Sequence, residues 1–203
     1  MLPFALTTVI IPVCAAAQPV EERVAIKADA SVQIETTCGS VTVSPWDREE
    51  LEITGSLSKD DARLELSGGG KRVRAEVTND RDKDVGCSTL AVRLPRTARL
   101  ELHTVSAELE VAGMEGELDL HTVSGDVHVE GEPARLEAES VSGDLVLHVR
   151  SAELEVETVS GDVIVRQARG ALEAETVSGE VEVEGGPYAR VEVTTVSGDL
   201  GLD

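Results

Sequence analysis

Residues 153–166 read Glu153-Leu154-Glu155-Val156-Glu157-Thr158-Val159-Ser160-Gly161-Asp162-Val163-Ile164-Val165-Arg166, and their order decides the fold. Apolar and polar residues alternate on both sides of Ser160-Gly161, but the apolar positions are even-numbered before the motif and odd-numbered after it. Alternation with period two sends one set of side chains inward along a strand. A parity change within extended chain marks a corner or bulge, placed here at Thr158-Val159. Gly161 supplies the backbone freedom for that bend, and Ser160 and Asp162 can hydrogen-bond local amides.

The motif recurs. Val105-Ser106-Ala107-Glu108 is followed by Val-Ser-Gly-Asp at 123–126, 141–144 and 159–162, by Val177-Ser178-Gly179-Glu180 and by Val196-Ser197-Gly198-Asp199. Successive copies lie 18 residues apart four times and 19 apart at the last step. Eighteen residues is too short for a propeller blade and contains no helical stretch, but suits one coil of a β-solenoid, whose identical positions stack about 4.8 Å apart. Each repeat is then strand, tight corner, strand and looser turn. The expected inward columns are Leu136/Leu154/Leu172, Ala138/Val156/Ala174, Val141/Val159/Val177 and Leu145/Val163/Val181. Gly125, Gly143, Gly161, Gly179 and Gly198 are the structural glycines of the corners. A barrel or sandwich of hairpins is the rival topology, and it predicts less rigid spacing.

Working outward, residues 18–100 are strand-like but irregular. Val32 to Thr36 lead into Cys38-Gly39-Ser40-Val41-Thr42-Val43, a degenerate corner, while Leu51 to Ile53, Arg63 to Leu66 and Leu90 to Leu94 alternate as strands do. Ser67 to Gly70 and Thr78 to Gly86 read as exposed loops. The expected organisation is an export signal over 1–17, an irregular N-terminal β region with the first coils over 18–100, and regular repeats over 101–203. The fold expected is all-β: a single-stranded β-helix of about 18 residues per coil, taken as right-handed, with an N-terminal cap.

Met1 to Ala17 carry no charge, and Leu6 to Val13 are apolar but broken by Pro12. The stretch is too short for a membrane span, and Ala15 and Ala17 form a signal-peptidase pair, so the mature chain is expected to start at Gln18, in the periplasm or at the cell surface. A basic leader region is missing, as if the true start lay upstream. Cys14 invites a lipid anchor, but Val13 stands where a small residue is needed. Removal of the signal leaves Cys38 and Cys87, and an even cysteine count in an exported chain suggests a disulfide, with two separate buried thiols as the alternative.

Acidic residues outnumber basic ones by 39 to 18, for a formal charge of −21. That field repels nucleic acid and attracts cations or basic peptides, although solubility alone would also account for it. Disorder is excluded by a 41% hydrophobic content in regular alternation. Aromatic residues are 1% of the chain, leaving Trp46 and Tyr188 beyond Phe4. A core of stacked Val, Leu and Ala layers needs no large rings.

The Thr-Val-Ser-Gly-Asp-Val repeat, the strand Gly39-Ser40-Val41-Thr42-Val43 and the lead-in Val92-Arg93-Leu94-Pro95 resemble a bacterial family of putative adhesins of unknown function, from about Ser31 to the end. The resemblance implies a β-solenoid, an envelope location and, in some relatives, links to envelope-stress regulation. It carries over no catalytic residues. The sequence departs from the pattern at Ala107-Glu108, and it stops at Asp203 directly after a motif, as a truncated or uncapped array would.

Catalysis finds no constellation: carboxylates recur by repeat position, serines sit in corners, and only Trp46 and Tyr188 are available as an aromatic sugar platform. Two acidic columns stand out, Glu108/Asp126/Asp144/Asp162/Glu180/Asp199 and Glu139/Glu157/Glu175. Their bland reading is turn formation and solvated charge; the sharper one is calcium or magnesium bridged by Asp126, Asp144, Asp162 and Glu180. No calcium-loop spacing supports the latter. His103 and His121 should stack on one outer face as surface histidines, a zinc or copper pair being the alternative that lacks further ligands, while His128 and His148 occupy different repeat positions. No cofactor is expected beyond that calcium. The function expected is a non-enzymatic envelope scaffold contacting envelope or surface proteins, or itself through the C-terminal coil edge. The alternative is an acidic module sequestering cationic peptides or divalent ions, as in an envelope-stress response.

Overall fold

A computed structural model describes residues 17–79 and 85–202. The expected signal segment therefore lies outside the described residues except for Ala17. Among the described residues the secondary structure is all strand, and no helix is long and apolar enough to cross a membrane. Four strands build the N-terminal region: β1 (Gln18–Trp46), β2 (Glu50–Leu57), β3 (Ala62–Asn79) and β4 (Cys87–Pro95). The long β5 (Arg99–Met114) opens the regular array. Pairs follow, one per coil: β6 (Glu117–Ser124) with β7 (Val127–Gly131), β8 (Arg135–Ser142) with β9 (Leu145–Val149), β10 (Glu153–Ser160) with β11 (Val163–Arg166), β12 (Ala171–Ser178) with β13 (Val181–Glu184), and β14 (Arg190–Ser197) with β15 (Leu200–Leu202).

Two parallel ladders run through the stack. One joins β5, β6, β8, β10, β12 and β14 in that order; the other joins β5, β7, β9, β11, β13 and β15. Register repeats every 18 residues, with Leu154 beside Leu136 and Leu172, and Val163 beside Leu145 and Val181. The single 19-residue step is absorbed between Glu184 and Arg190, where Tyr188 donates its hydroxyl to the Glu184 carbonyl at 3.0 Å. Leu136, Ala138, Leu145, Leu154, Val156, Val163, Leu172, Ala174 and Val181 are all at most 1% exposed and belong to one continuous core between the ladders. Burial of each Leu or Val is worth about 1.5–3 kcal/mol, so small, identical layers suffice without aromatic mass.

One expected column is wrong. Val141, Val159 and Val177 face outward, each 47–48% exposed, and Ser140, Thr158 and Thr176 are the buried residues. Strict alternation runs one residue further than the parity argument allowed: 154, 156 and 158 point inward, and the corner spans 159–162 before Val163 turns in. Threonine has valine's branched shape, and serine takes the position at 140. The Thr104 hydroxyl additionally donates to Thr122 Oγ1 at 3.0 Å.

The corners are stitched from coil to coil. Gly143 N–H donates to the Ser160 carbonyl and Leu145 N–H to the Asp162 carbonyl. Asp162 N–H donates the other way, to Asp144 Oδ1 at 3.0 Å. In β5, Ala107 stands in place of glycine without entering the left-handed region, and its methyl is buried.

The N-terminal coils are not stacked in chain order. The β1 segment Cys38 to Trp46 pairs on one side with β4 and on the other with β5. Its preceding segment pairs with β3 and β5 in the same way. The first coil in sequence is therefore second in space, between the β3–β4 coil and the β5 coil. The cap closes antiparallel, with β2 between the start of β1 and β4. Cys38 and Cys87 are register partners and form a disulfide across β1 and β4. Ser67 to Gly70, expected as a loop, lies inside β3 as an exposed stretch with three glycines at positive φ. Only Thr78, Asn79, Val85 and Gly86 of the second expected loop are described, the first two at the end of β3.

Candidate functional site: an acidic groove with an apolar edge

Outward residues on the first ladder recur just as the core does. The position before each of Thr104, Thr122, Ser140, Thr158 and Thr176 holds His103, His121, Glu139, Glu157 and Glu175; the position after holds Val105, Val123, Val141, Val159 and Val177. These two columns border a groove of about 590 Å³ that runs across the coils to Thr194 and Val196. Thr104, Thr122, Ser140, Thr158 and Thr176 line it between them. The valines are 47–50% exposed as far as Val177. Scattered exposed valines would mean little, but an unbroken apolar row beside a polar one has the form of a contact surface.

The groove is acidic. Among the described residues no lysine or arginine lines it. Arginines instead bridge coils elsewhere, as in Arg99–Glu117, Arg150–Glu132 and Arg135 with both Glu153 and Glu155. Those pairs relieve the like-charge repulsion of neighbouring outer columns, and none of them involves Glu139, Glu157 or Glu175. Partial burial, then the charges of Glu139 and Glu175, pushes the Glu157 carboxyl above its ordinary range.

Histidine occupies one end of the same column. His103 and His121 stack with centroids 4.8 Å apart and planes within 5°. His103 Nε2 lies 2.6 Å from Glu101, and His121 meets Asp119 through Nε2 at 2.5 Å and Glu139 through Nδ1 at 2.9 Å. Burial alone would lower the His121 pKa; the hydrogen bonds and charges of Glu139 and Asp119 outweigh it and hold the ring above its ordinary value. Both nitrogens of His121 are thus held by carboxylates, as is Nε2 of His103.

The column Asp126, Asp144, Asp162 and Glu180 is brought together as the spacing predicts. Asp126, Asp144 and Asp162 each accept the backbone N–H of the next coil's acidic residue, at 2.9–3.0 Å. Their role in the structure is to satisfy an amide that the ladder leaves over. Asp144→Ala should therefore cost about 1 kcal/mol, comparable to loss of a helix N-cap, whereas Asp144→Asn keeps the acceptor and should be near neutral in urea unfolding. Equal losses for both variants would mean that the charge, and not the acceptor, matters. The corner glycines Gly125, Gly143, Gly161 and Gly179 share φ of 142–147°, a conformation that Gly198 does not adopt.

The groove edge escaped the sequence reading because its valines were assigned to the core. A signal was present: threonine at 104, 122, 158 and 176 continues the inward alternation, which forces the next valine out. The two late aromatics are structural, since Trp46 Nε1 donates to the Glu50 carbonyl at 2.7 Å beneath Arg48.

Comparison with known proteins places this architecture. The family model described as Toastrack DUF4097 matches residues 88–203, more than half of the 203-residue chain. The chain belongs to the Toastrack family. Among solved structures, this Toastrack chain is similar to a putative adhesin from Bacteroides fragilis NCTC 9343, with a TM-score of 0.59 at 11% identity over 93% of this chain and 99% of that one. It is also similar to a putative adhesin from Parabacteroides distasonis ATCC 8503, at 11% identity over 93% and 98% and a TM-score of 0.47. A putative cell adhesion protein from Clostridium sporogenes ATCC 15579 gives 13% identity over 91% and 99%, again with a TM-score of 0.47. At these identities the first likeness speaks for the fold alone. No curated protein matches the sequence. The β-solenoid and the family resemblance expected from the repeats both hold.

Proposed function

We propose that this protein is an exported, non-enzymatic scaffold of the bacterial envelope whose groove holds an extended, cationic and amphipathic segment of a partner protein. The observation that carries the reading is the pairing of two parallel columns, the carboxylates Glu139, Glu157 and Glu175 on one side and half-exposed valines on the other, with no lysine or arginine between them among the described residues. A segment lying along the groove meets the same acidic–apolar pair at three successive coils, Glu139 with Val141, Glu157 with Val159 and Glu175 with Val177. Alternating basic and apolar side chains on an extended chain match it by charge and by burial. The uncharged stretch before Gln18, the disulfide and the adhesin name of the Bacteroides fragilis structure support export and surface contact.

The test uses a fluorescent peptide of alternating lysine and valine, titrated against the chain from Gln18 onward at low and high salt. Tight binding that Val141→Asp/Val159→Asp weakens at least tenfold, with a residue of affinity surviving 0.5 M salt, is the expected result. Circular dichroism checks that the double variant stays folded, as substitutions of half-exposed side chains should allow. Binding that high salt abolishes and the valine variants leave intact would sink the groove. It would favour the alternative, an acidic field that sequesters any cationic peptide or divalent ion.

A further inference from the structure

His128 and His148 differ in repeat position, yet the fold brings them together on the outer face of the second ladder. Glu130 of β7 is the register partner of His148 in β9, and His128 lies two residues before Glu130 on the same face. The two imidazoles meet edge to face, with centroids 5.6 Å apart. One carboxylate oxygen, Glu130 Oε1, lies 3.4 Å from His128 Nε2 and 3.7 Å from His148 Nδ1. One donor atom from each of the three residues can be chosen so that all lie within 4.8 Å of one another.

We propose that His128, Glu130 and His148 bind a zinc ion. Ligands about 2.0–2.1 Å from a tetrahedral zinc stand about 3.4 Å apart along each edge, so two of the three edges are already near their final length. Two imidazoles and a carboxylate form a borderline donor set that suits zinc better than calcium or magnesium, and three protein ligands leave a fourth position open to solvent. All three side chains are partly exposed, at 41%, 58% and 30%, so the ion enters from solvent without any opening of the fold. The other imidazole pair is a poorer site, because both nitrogens of His121 are held by carboxylates.

Arg166 opposes the ion. It lies one coil further on, with its Nη1 3.4 Å from His148 Nε2 and its Nε donating to Glu184 at 2.7 Å. As donor to Nε2 it leaves the ring proton on Nδ1, the nitrogen facing Glu130. Zinc at Nδ1 requires that proton to move to Nε2, so the guanidinium must swing away towards Glu184. The zinc site lies on the other ladder from the groove, so its test is independent of peptide binding.

The experiment is calorimetric titration of the purified protein with zinc alone at pH 7.4. One ion per chain is expected, with His128→Ala and His148→Ala each weakening binding at least tenfold. Arg166→Gln should tighten it severalfold, a gain that a merely structural role for Arg166 would not give. His121→Ala should leave the affinity unchanged. Wild-type affinity in the His128 and His148 variants, or an equal loss in His121→Ala, would overturn the site.

Discussion

Gly161→Val is expected to destabilise the solenoid by at least about 3 kcal/mol, because two penalties fall on one residue. The first is conformational: Gly161 has φ of +143°, a region that a β-branched side chain avoids. The second is steric: a Cβ here would lie 2.2 Å from the Gly143 carbonyl oxygen and 2.8 Å from its carbon. Both are backbone atoms of the neighbouring corner, held by the hydrogen bonds from Gly143 N–H to the Ser160 carbonyl and from Leu145 N–H to the Asp162 carbonyl. Neither can move without breaking the stack. Each coil touches only its neighbours, so the damage should be local first. Hydrogen exchange should rise across β10 to β15 while β1 to β5 keep their protection. Val159→Ala, two residues away on the exposed edge, should cost well under 1 kcal/mol. Similar losses for the two variants would mean that the corner is not the tight contact described here.

Reduction of the Cys38–Cys87 disulfide should cost about 4 kcal/mol, the chain-entropy value for a loop closed between residues 49 apart. The bond spans β2, β3 and the segment between β3 and β4, so its loss frees the whole cap in the unfolded ensemble. In the folded state it joins two coils that are adjacent in space but separated in the chain. Neighbouring contacts persist without it: Cys87 N–H donates to Ser58 Oγ at 2.9 Å, and the Thr36 and Ser88 hydroxyls meet at 2.8 Å. The reduced protein should therefore fold but melt many degrees lower. Thermal unfolding with and without reductant, and of Cys38→Ser/Cys87→Ser, checks this. A drop below about 1 kcal/mol would mean that the unfolded cap is already compact.

The regular coils were legible because a repeat presents the same evidence many times over. Leu136, Leu154 and Leu172 name the same core position independently, and one register explains them all. The corner was misread by one residue. Threonine and valine are similar in shape, and hydrophobicity alone prefers Val159 inside, whereas alternation prefers Thr158. Alternation won, since a strand cannot turn one side chain over without a bulge. The order of the N-terminal coils was not legible. Strand pairing between residues such as Val41 and Leu109 depends on long-range register, and a single sequence holds no local trace of it. The carboxylate column and the His103–His121 stack followed from spacing alone. The His128–Glu130–His148 cluster did not, because its members share a face through the pleat and not through the 18-residue period.

The displaced first coil also makes the two directions of the array mechanically unequal. Tension applied beyond β14 and β15 peels coils away singly, each held by its own two short rows of hydrogen bonds. Tension applied at the start of β1 loads a 29-residue strand bonded at once to β2, β3, β4 and β5. That strand cannot leave like a zip, because its coil has a neighbour on each side and must shear past both. The array is therefore stiff where β1 enters it and compliant at the coil of β14 and β15.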